Sequence, residues 1–219
     1  MSTPLTLDVV IDVVCPWCYL GKRRLDAALE TLPDFETSVR YRPFQLDPTI
    51  PPEGKERRAY MIEKFGDPGR VAEAHARLEE AAAGSGIAFA FERIEVSPNT
   101  LDAHRLIHWA QEDDLGDEMV DRLFALYFEE GADIGDREVL IKAAEDVGLD
   151  PDFIGRNLDD GTDREAIQQA IAYAGQLGIT GVPCTIIAGK YAISGAQPSA
   201  VMADAIRQVS DELARAAGG

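Results

Sequence analysis

The feature that most constrains this chain lies near its start, in "LTLDVVIDVVCPWCYLGKRRLDAALE", where two kinds of periodicity meet at a pair of cysteines. Before the pair, Leu7, Val9, Ile11 and Val13 fall on one face and Val10 and Val14 on the other, with Asp8 and Asp12 interrupting. A short Val/Ile-rich run of this kind predicts a strand buried on both faces. After the pair, Cys18, Gly21, Leu25, Ala28, Leu29 and Leu32 recur at helical spacing. Lys22, Arg23, Asp26 and Glu30 lie off that stripe. Pro16 suits the first helical position, where its missing N–H costs nothing. Cys15 is then expected at the N-cap, with Cys18 one turn inside.

That placement carries chemistry. A helix N-terminus presents unpaired N–H groups and a partial positive charge, which favour a thiolate over a thiol. The thiolate is the species that attacks in disulfide exchange. Cys15, at the tip, is expected to be reachable by a partner and to attack. Cys18, on the apolar stripe, is expected to be buried and to resolve the mixed disulfide.

Other uses of a cysteine pair fit less well. A zinc site commonly takes four ligands, yet the only further cysteine is Cys184 and the histidines (His75, His104, His108) stand in other segments. No metal is expected, and no cofactor beyond the cysteines themselves. A structural disulfide belongs to secreted chains, whereas "MSTPLTLDVV" shows neither a basic region nor a small-residue cleavage site. The expectation is a cytoplasmic protein, where a strand–CxxC–helix unit reads as a redox centre. The formal net charge of −18 argues against nucleic acid and against anionic membrane surfaces as partners, and no apolar run approaches the ~20 residues of a membrane span.

Along the rest of the chain, "FETSVRYRPF" reads as a second strand, and Pro48, Pro51 and Pro52 break any regular element in the stretch after it. Helical patterns then recur in "ERRAYMIEKF", "PGRVAEAHARLEEAAA", "LDAHRLIHWAQED", "EMVDRLFALYFEE" and "REVLIKAAEDVG". Thr162 and Glu165 have capping-box spacing, which predicts a further helix from Thr162 to about Leu177. Strands are expected at Cys184–Ile187 and Tyr191–Ser194 around Ala188-Gly189-Lys190, then a closing helix along Val201, Met202, Ala205, Ile206, Val209 and Leu213. The order β-α-β, helical block, α-β-β-α predicts one α/β unit interrupted by helices.

Three stretches, "DVVCPWCYLGKRRL", "NTLDAHRLIHWA" and "GITGVPCTIIAGKYAISGAQP", occur in an order that resembles the DsbA family of thiol–disulfide oxidoreductases, particularly its FrnE-like branch. The resemblance implies a thioredoxin-like fold over 1–54 and 160–219, interrupted by an all-helical domain over 55–159. It implies disulfide exchange through the Cys15-Pro-Trp-Cys18 dithiol opposite a cis Val182-Pro183 bond, which would leave the Val182 backbone free to pair with a substrate. Protein or small-molecule thiols and disulfides are the implied partners, with glutathione as a possible reductant. The alternative is a glutathione-dependent isomerase or transferase of the kappa or hydroxychromene-carboxylate isomerase type. Those relatives typically carry serine where Cys15 stands and Asp-Arg after the glycine opening the last helix, where this chain has "SGAQP".

Secondary residues take their expected roles from these placements. Asp12 either takes the proton from Cys18 or only binds neighbouring backbone. Asn99, Thr100 and His104 match the middle motif and are auxiliary candidates for lining the cleft; the alternative, which is favoured, is that Asn99 or Thr100 caps a helix and His104 is packed. Trp17 is expected to be exposed beside the pair as a docking surface. Cys184 is expected to be a packing residue. With no cation between the cysteines to add to the helix dipole, a potential of about −200 mV is expected.

Overall fold

Strand β1 (Leu5–Ile11) is central in a four-stranded sheet of order β2-β1-β5-β6; the computed structural model describes residues 4–217. Helix α1 (Pro16–Glu30) carries the chain from β1 to β2 (Thr37–Pro43), which pairs parallel with it from Leu5↔Thr37 to Ile11↔Pro43. Parallel neighbours need such a crossover. Strand β5 (Cys184–Ile187) runs antiparallel to β1 on its other side, and β6 (Tyr191–Ser194) closes a hairpin against β5. Leu7, Val9, Val10 and Ile11 are all buried, as a strand covered on both faces requires. Helix α9 (Ser199–Ala217) packs against α1.

Between β2 and β5 the chain forms α2 (Arg57–Phe65), α3 (Pro68–Ala81), α4 (Leu101–Glu112), α5 (Gly116–Ala125) with a π-helical turn to Glu130, α6 (Arg137–Val147), α7 (Pro151–Asp160) and α8 (Arg164–Gln176). The stretch 55–159 is not all helical. Strands β3 (Lys55–Glu56) and β4 (Val96–Ser97) pair antiparallel across it. Two-residue strands carry no alternation to read; they form because distant backbone segments satisfy each other. Glu56 doubles as the N-cap of α2, accepting from the Arg58 and Ala59 amides at 3.0 and 2.6 Å.

Three local expectations change. Helix α7 is added, started by Asp150 as N-cap and Pro151 at N1. The Thr162–Glu165 capping box does not form. The Thr162 amide and hydroxyl both turn back to Asp160 Oδ1 (2.8 and 2.5 Å), and its carbonyl accepts from Arg105 Nε at 2.7 Å. Helix α8 therefore begins at Arg164, after Asp163 at φ 60°. Lys22, placed by spacing off the buried stripe of α1, is instead only 1% exposed. Its ammonium meets Asp26, Asp117 and Asp121 at 2.8, 2.9 and 3.1 Å, because α5 packs where solvent was expected. Beside it Tyr19 stacks on Phe124 and Phe128, so one core runs from β1 through α1 into α4 and α5.

Candidate active site

Cys15 is the N-cap of α1, with extended backbone (φ −94°, ψ 110°) and Pro16 at N1. Its amide donates to the Asp12 carbonyl at 3.0 Å, and its own carbonyl accepts from Cys18 and Tyr19. The first turn of α1 contains no acidic residue and no side chain caps it, so the positive end of the helix is left to the sulfur. All three cysteines are free thiols.

The Val182–Pro183 loop lies directly against this turn, and its peptide bond is cis. Gly21 makes the approach possible: a Cβ there would stand 2.8 Å from Pro183 Cγ. The Cys15 thiol faces the Val182 carbonyl oxygen at 3.7 Å. The backbone of Val182 thus stands beside the Cys15 sulfur.

Cys15 is more enclosed than its position at a helix tip predicts, at 4% exposure. The reason is long-range. Helices α2 and α3 roof a cavity of about 320 Å³ whose floor includes Asp12, Cys15 and Val182. Trp17, 42% exposed, stands at its rim. Cys18 is fully buried below. Burial pushes its pKa well above the usual thiol value, and its hydrogen bond to Cys15 pushes the same way. The Asp12 charge adds to this.

Asp12 falls just past the end of β1 and is 1% exposed. Its Oδ2 accepts from the Leu46 amide at 2.8 Å, whereas its buried Oδ1 has no hydrogen-bond partner among the described residues. His104, also buried, has Nε2 at 3.5 Å from that oxygen and donates from Nε2 to the Phe44 carbonyl at 2.8 Å. Thr100 lines the cavity and holds the N-cap position of α4 without a side-chain cap bond. Asn99 makes the local contact instead, its Oδ1 accepting from the Leu101 amide while its Nδ2 donates to the Ile50 carbonyl. Asn99 and His104 do not line the cavity. Cys184 sits apart, 4% exposed against Val10 and Ala174, with its pKa raised by burial.

Residues the sequence did not single out complete the cavity: Arg57, Tyr60, His75 and Tyr127, all from 55–159. Each sits in an ordinary amphipathic stretch, so no local signal marks it. Among the described residues no cluster of His, Cys, Asp or Glu is placed to hold a metal, and no helix is long and apolar enough to cross a membrane.

Residues 6–207 match the DSBA-like thioredoxin domain family. The chain is 31% identical over 207 residues to the uncharacterized protein YwbO of Bacillus subtilis, covering 94% of this chain and 96% of that one. A crystal structure of a probable DsbA oxidoreductase from Streptomyces coelicolor superposes with a TM-score of 0.86 at 30% identity, over 95% of this chain and 91% of the other. A 2-hydroxychromene-2-carboxylate isomerase shares the fold at 16% identity, with a TM-score of 0.72 over 96% and 98% of the two chains.

Proposed function

Because the chain belongs to the DSBA-like thioredoxin domain family, we propose that it exchanges disulfides through Cys15 and Cys18, with Cys15 attacking and Cys18 resolving. The observation that carries this reading is the inequality of the pair. Cys15 caps α1 and opens on a cavity, while Cys18 is sealed beneath it and holds its proton.

In reduction of a disulfide RS–SR, the Cys15 thiolate attacks one sulfur, the S–S bond breaks, and RS⁻ leaves to be protonated by water. Cys18 then gives up its proton and attacks Cys15 Sγ, expelling the second RS⁻. Two electrons pass from the dithiol to the substrate, and a Cys15–Cys18 disulfide remains. The unpartnered Oδ1 of Asp12 is the acceptor proposed for the Cys18 proton. Val182, held beside the sulfur by Pro183, and Trp17 at the rim are the proposed substrate contacts. The stretches around Cys15, Asn99 and Pro183 support placement in the FrnE-like branch. With a potential of about −200 mV the pair would rest as the dithiol in a reducing cytoplasm and act as a reductase or isomerase.

Timed alkylation of the reduced protein near neutral pH tests the reading. Cys15 should be modified first, Cys15→Ser should abolish exchange, and Cys18→Ser should accumulate mixed disulfides. Equal alkylation of both thiols would overturn it. Glutathione-dependent isomerisation or conjugation that survives Cys18→Ser would point to the isomerase reading instead.

A further inference from the structure

Resting on the disulfide-exchange reading above, we infer that the cavity over Cys15 selects small disulfides carrying a carboxylate, which Arg57 anchors. Size is the first ground. The attacked sulfur must reach a thiol that is 4% exposed at the floor of a cavity of about 320 Å³, a volume at the lower end for small-molecule sites. A folded protein cannot bring a disulfide in line with Cys15 unless α2 and α3 move aside.

Charge is the second ground. Arg57 is only partly exposed and sits in the cavity wall, yet no carboxylate pairs with it among the described residues. Its side-chain hydrogen bonds there run from Nη1 to the hydroxyls of Tyr127 (3.1 Å) and Ser97 (3.4 Å), leaving Nε and Nη2 without an acceptor among the described residues. The fully buried cations among the described residues are paired: Lys22 meets Asp26, Asp117 and Asp121, and Arg105 meets Asp102. An unpaired, partly desolvated guanidinium is costly, and in a chain of net charge −18 carboxylates are not scarce. Its free edge matches a carboxylate, the group that guanidinium binds in bidentate fashion.

The surroundings keep that cation fixed and unopposed. The Arg57 amide donates to the Glu95 carbonyl at 2.8 Å, and its guanidinium lies 5.7 Å from the centre of the Tyr127 ring. Burial pushes Tyr127 up to about 12, so its hydroxyl stays neutral as an acceptor for Arg57. Burial and the Arg57 charge hold His75 down, so it faces the cavity as a neutral ring whose Nε2 has no partner among the described residues. Two carboxylates also line the cavity. Asp47 is engaged by Thr49 at 3.0 and 2.5 Å and lies 3.9 Å from Lys55, and Asp12 lies near the sulfurs. A substrate carboxylate is thus drawn to the cation-bearing wall, where Arg57 presents a fixed guanidinium and the exposed Lys64 adds positive charge, and is repelled from the floor, which leaves its sulfur at Cys15.

Three small disulfides and one protein separate the possibilities: 3,3′-dithiodipropionate (two carboxylates), 2-hydroxyethyl disulfide (neutral), cystamine (two ammoniums) and insulin. Reduced enzyme is regenerated with dithiothreitol, and each rate is divided by that of the same disulfide with dithiothreitol alone. The acidic surface by itself favours cystamine. The expected result is the reverse, with kcat/KM for dithiodipropionate at least about tenfold above cystamine and above insulin. Arg57→Gln should remove about tenfold on dithiodipropionate and leave 2-hydroxyethyl disulfide within about twofold. Preference for cystamine or insulin in the wild type, or an unchanged preference in a folded Arg57→Gln, overturns the inference while the exchange reading stands. Should the variant not fold, the wild-type order decides. No reduction of any of the four overturns the exchange reading itself.

Discussion

Lys22 and Asp12 are both 1% exposed, at opposite ends of the segment that contains the cysteines, and the fold treats them in opposite ways. Lys22 stands where α1 meets α5, inside a ring of Asp26, Asp117 and Asp121. Burial pulls its pKa down, but hydrogen bonds and charge from Asp26 and Asp117 outweigh this and raise it. Burial pushes Asp26 up even so, because one lysine serves three acids and Asp117 and Asp121 add to the push. Asp12 stands under the Cys15–Cys18 pair with one oxygen bonded to a backbone amide and the other without a partner among the described residues. The Lys22 ammonium has three protons and a carboxylate oxygen within 3.1 Å from each of three aspartates. Asp12 keeps an acceptor oxygen to spare near the Cys18 thiol, as the proton path proposed for it requires.

Removing Lys22 should have the largest effect on stability. Lys22→Ala leaves three aspartates facing each other across α1 and α5 and empties the space of the lysine stem. Breaking a buried pair typically costs 3–5 kcal/mol. Asp26, Asp117 and Asp121 are 31%, 54% and 30% exposed, and solvent screening brings the expected loss to the lower end, about 3 kcal/mol. Urea unfolding measures it; a loss below about 1 kcal/mol would mean that the ring does not latch the helices.

Asp12→Asn should separate exchange from stability. The amide keeps the acceptor for Leu46 and removes a buried charge, so unfolding free energy should change little or rise. Resolution of the mixed disulfide should slow by at least about tenfold at neutral pH. The sign with pH is set by Cys18, whose pKa burial holds above the ordinary 9.0. At neutral pH the thiol needs an acceptor for its proton. Only as pH rises well above the ordinary thiol range does Cys18 ionise without an acceptor, so the variant's defect should shrink there. A defect that is constant with pH would remove Asp12 from the proton path.

The smallest effect is expected at Cys184, buried like both of them but uncharged. Burial raises its pKa and it does not line the cavity over Cys15. Cys184→Ala should leave exchange rates within about twofold and cost about 1 kcal/mol. Rapid labelling of Cys184 in the native protein would show a third accessible thiol.

The sequence by itself determined what is set over a few neighbouring residues. Alternation marked β1, the i, i+3, i+4 stripe marked α1, Pro16 fixed where that helix starts, and the glycine-bearing turn marked the β5–β6 hairpin. These arise from local backbone preferences and the burial of one apolar face, which a linear pattern records. The placement of Cys15 at the N-cap and of Cys18 one turn inside was legible for the same reason, since it depends on position along a helix. Tertiary structure decided the rest. Lys22 went inside because α5 supplied its carboxylates from far along the chain, and β3 and β4 formed because segments about forty residues apart were brought together. Cys15 became enclosed, and Arg57 came to share its cavity, because α2 and α3 fold back over the end of α1. Depth, pairing and local dielectric depend on which surfaces meet, and no spacing within a single element encodes that.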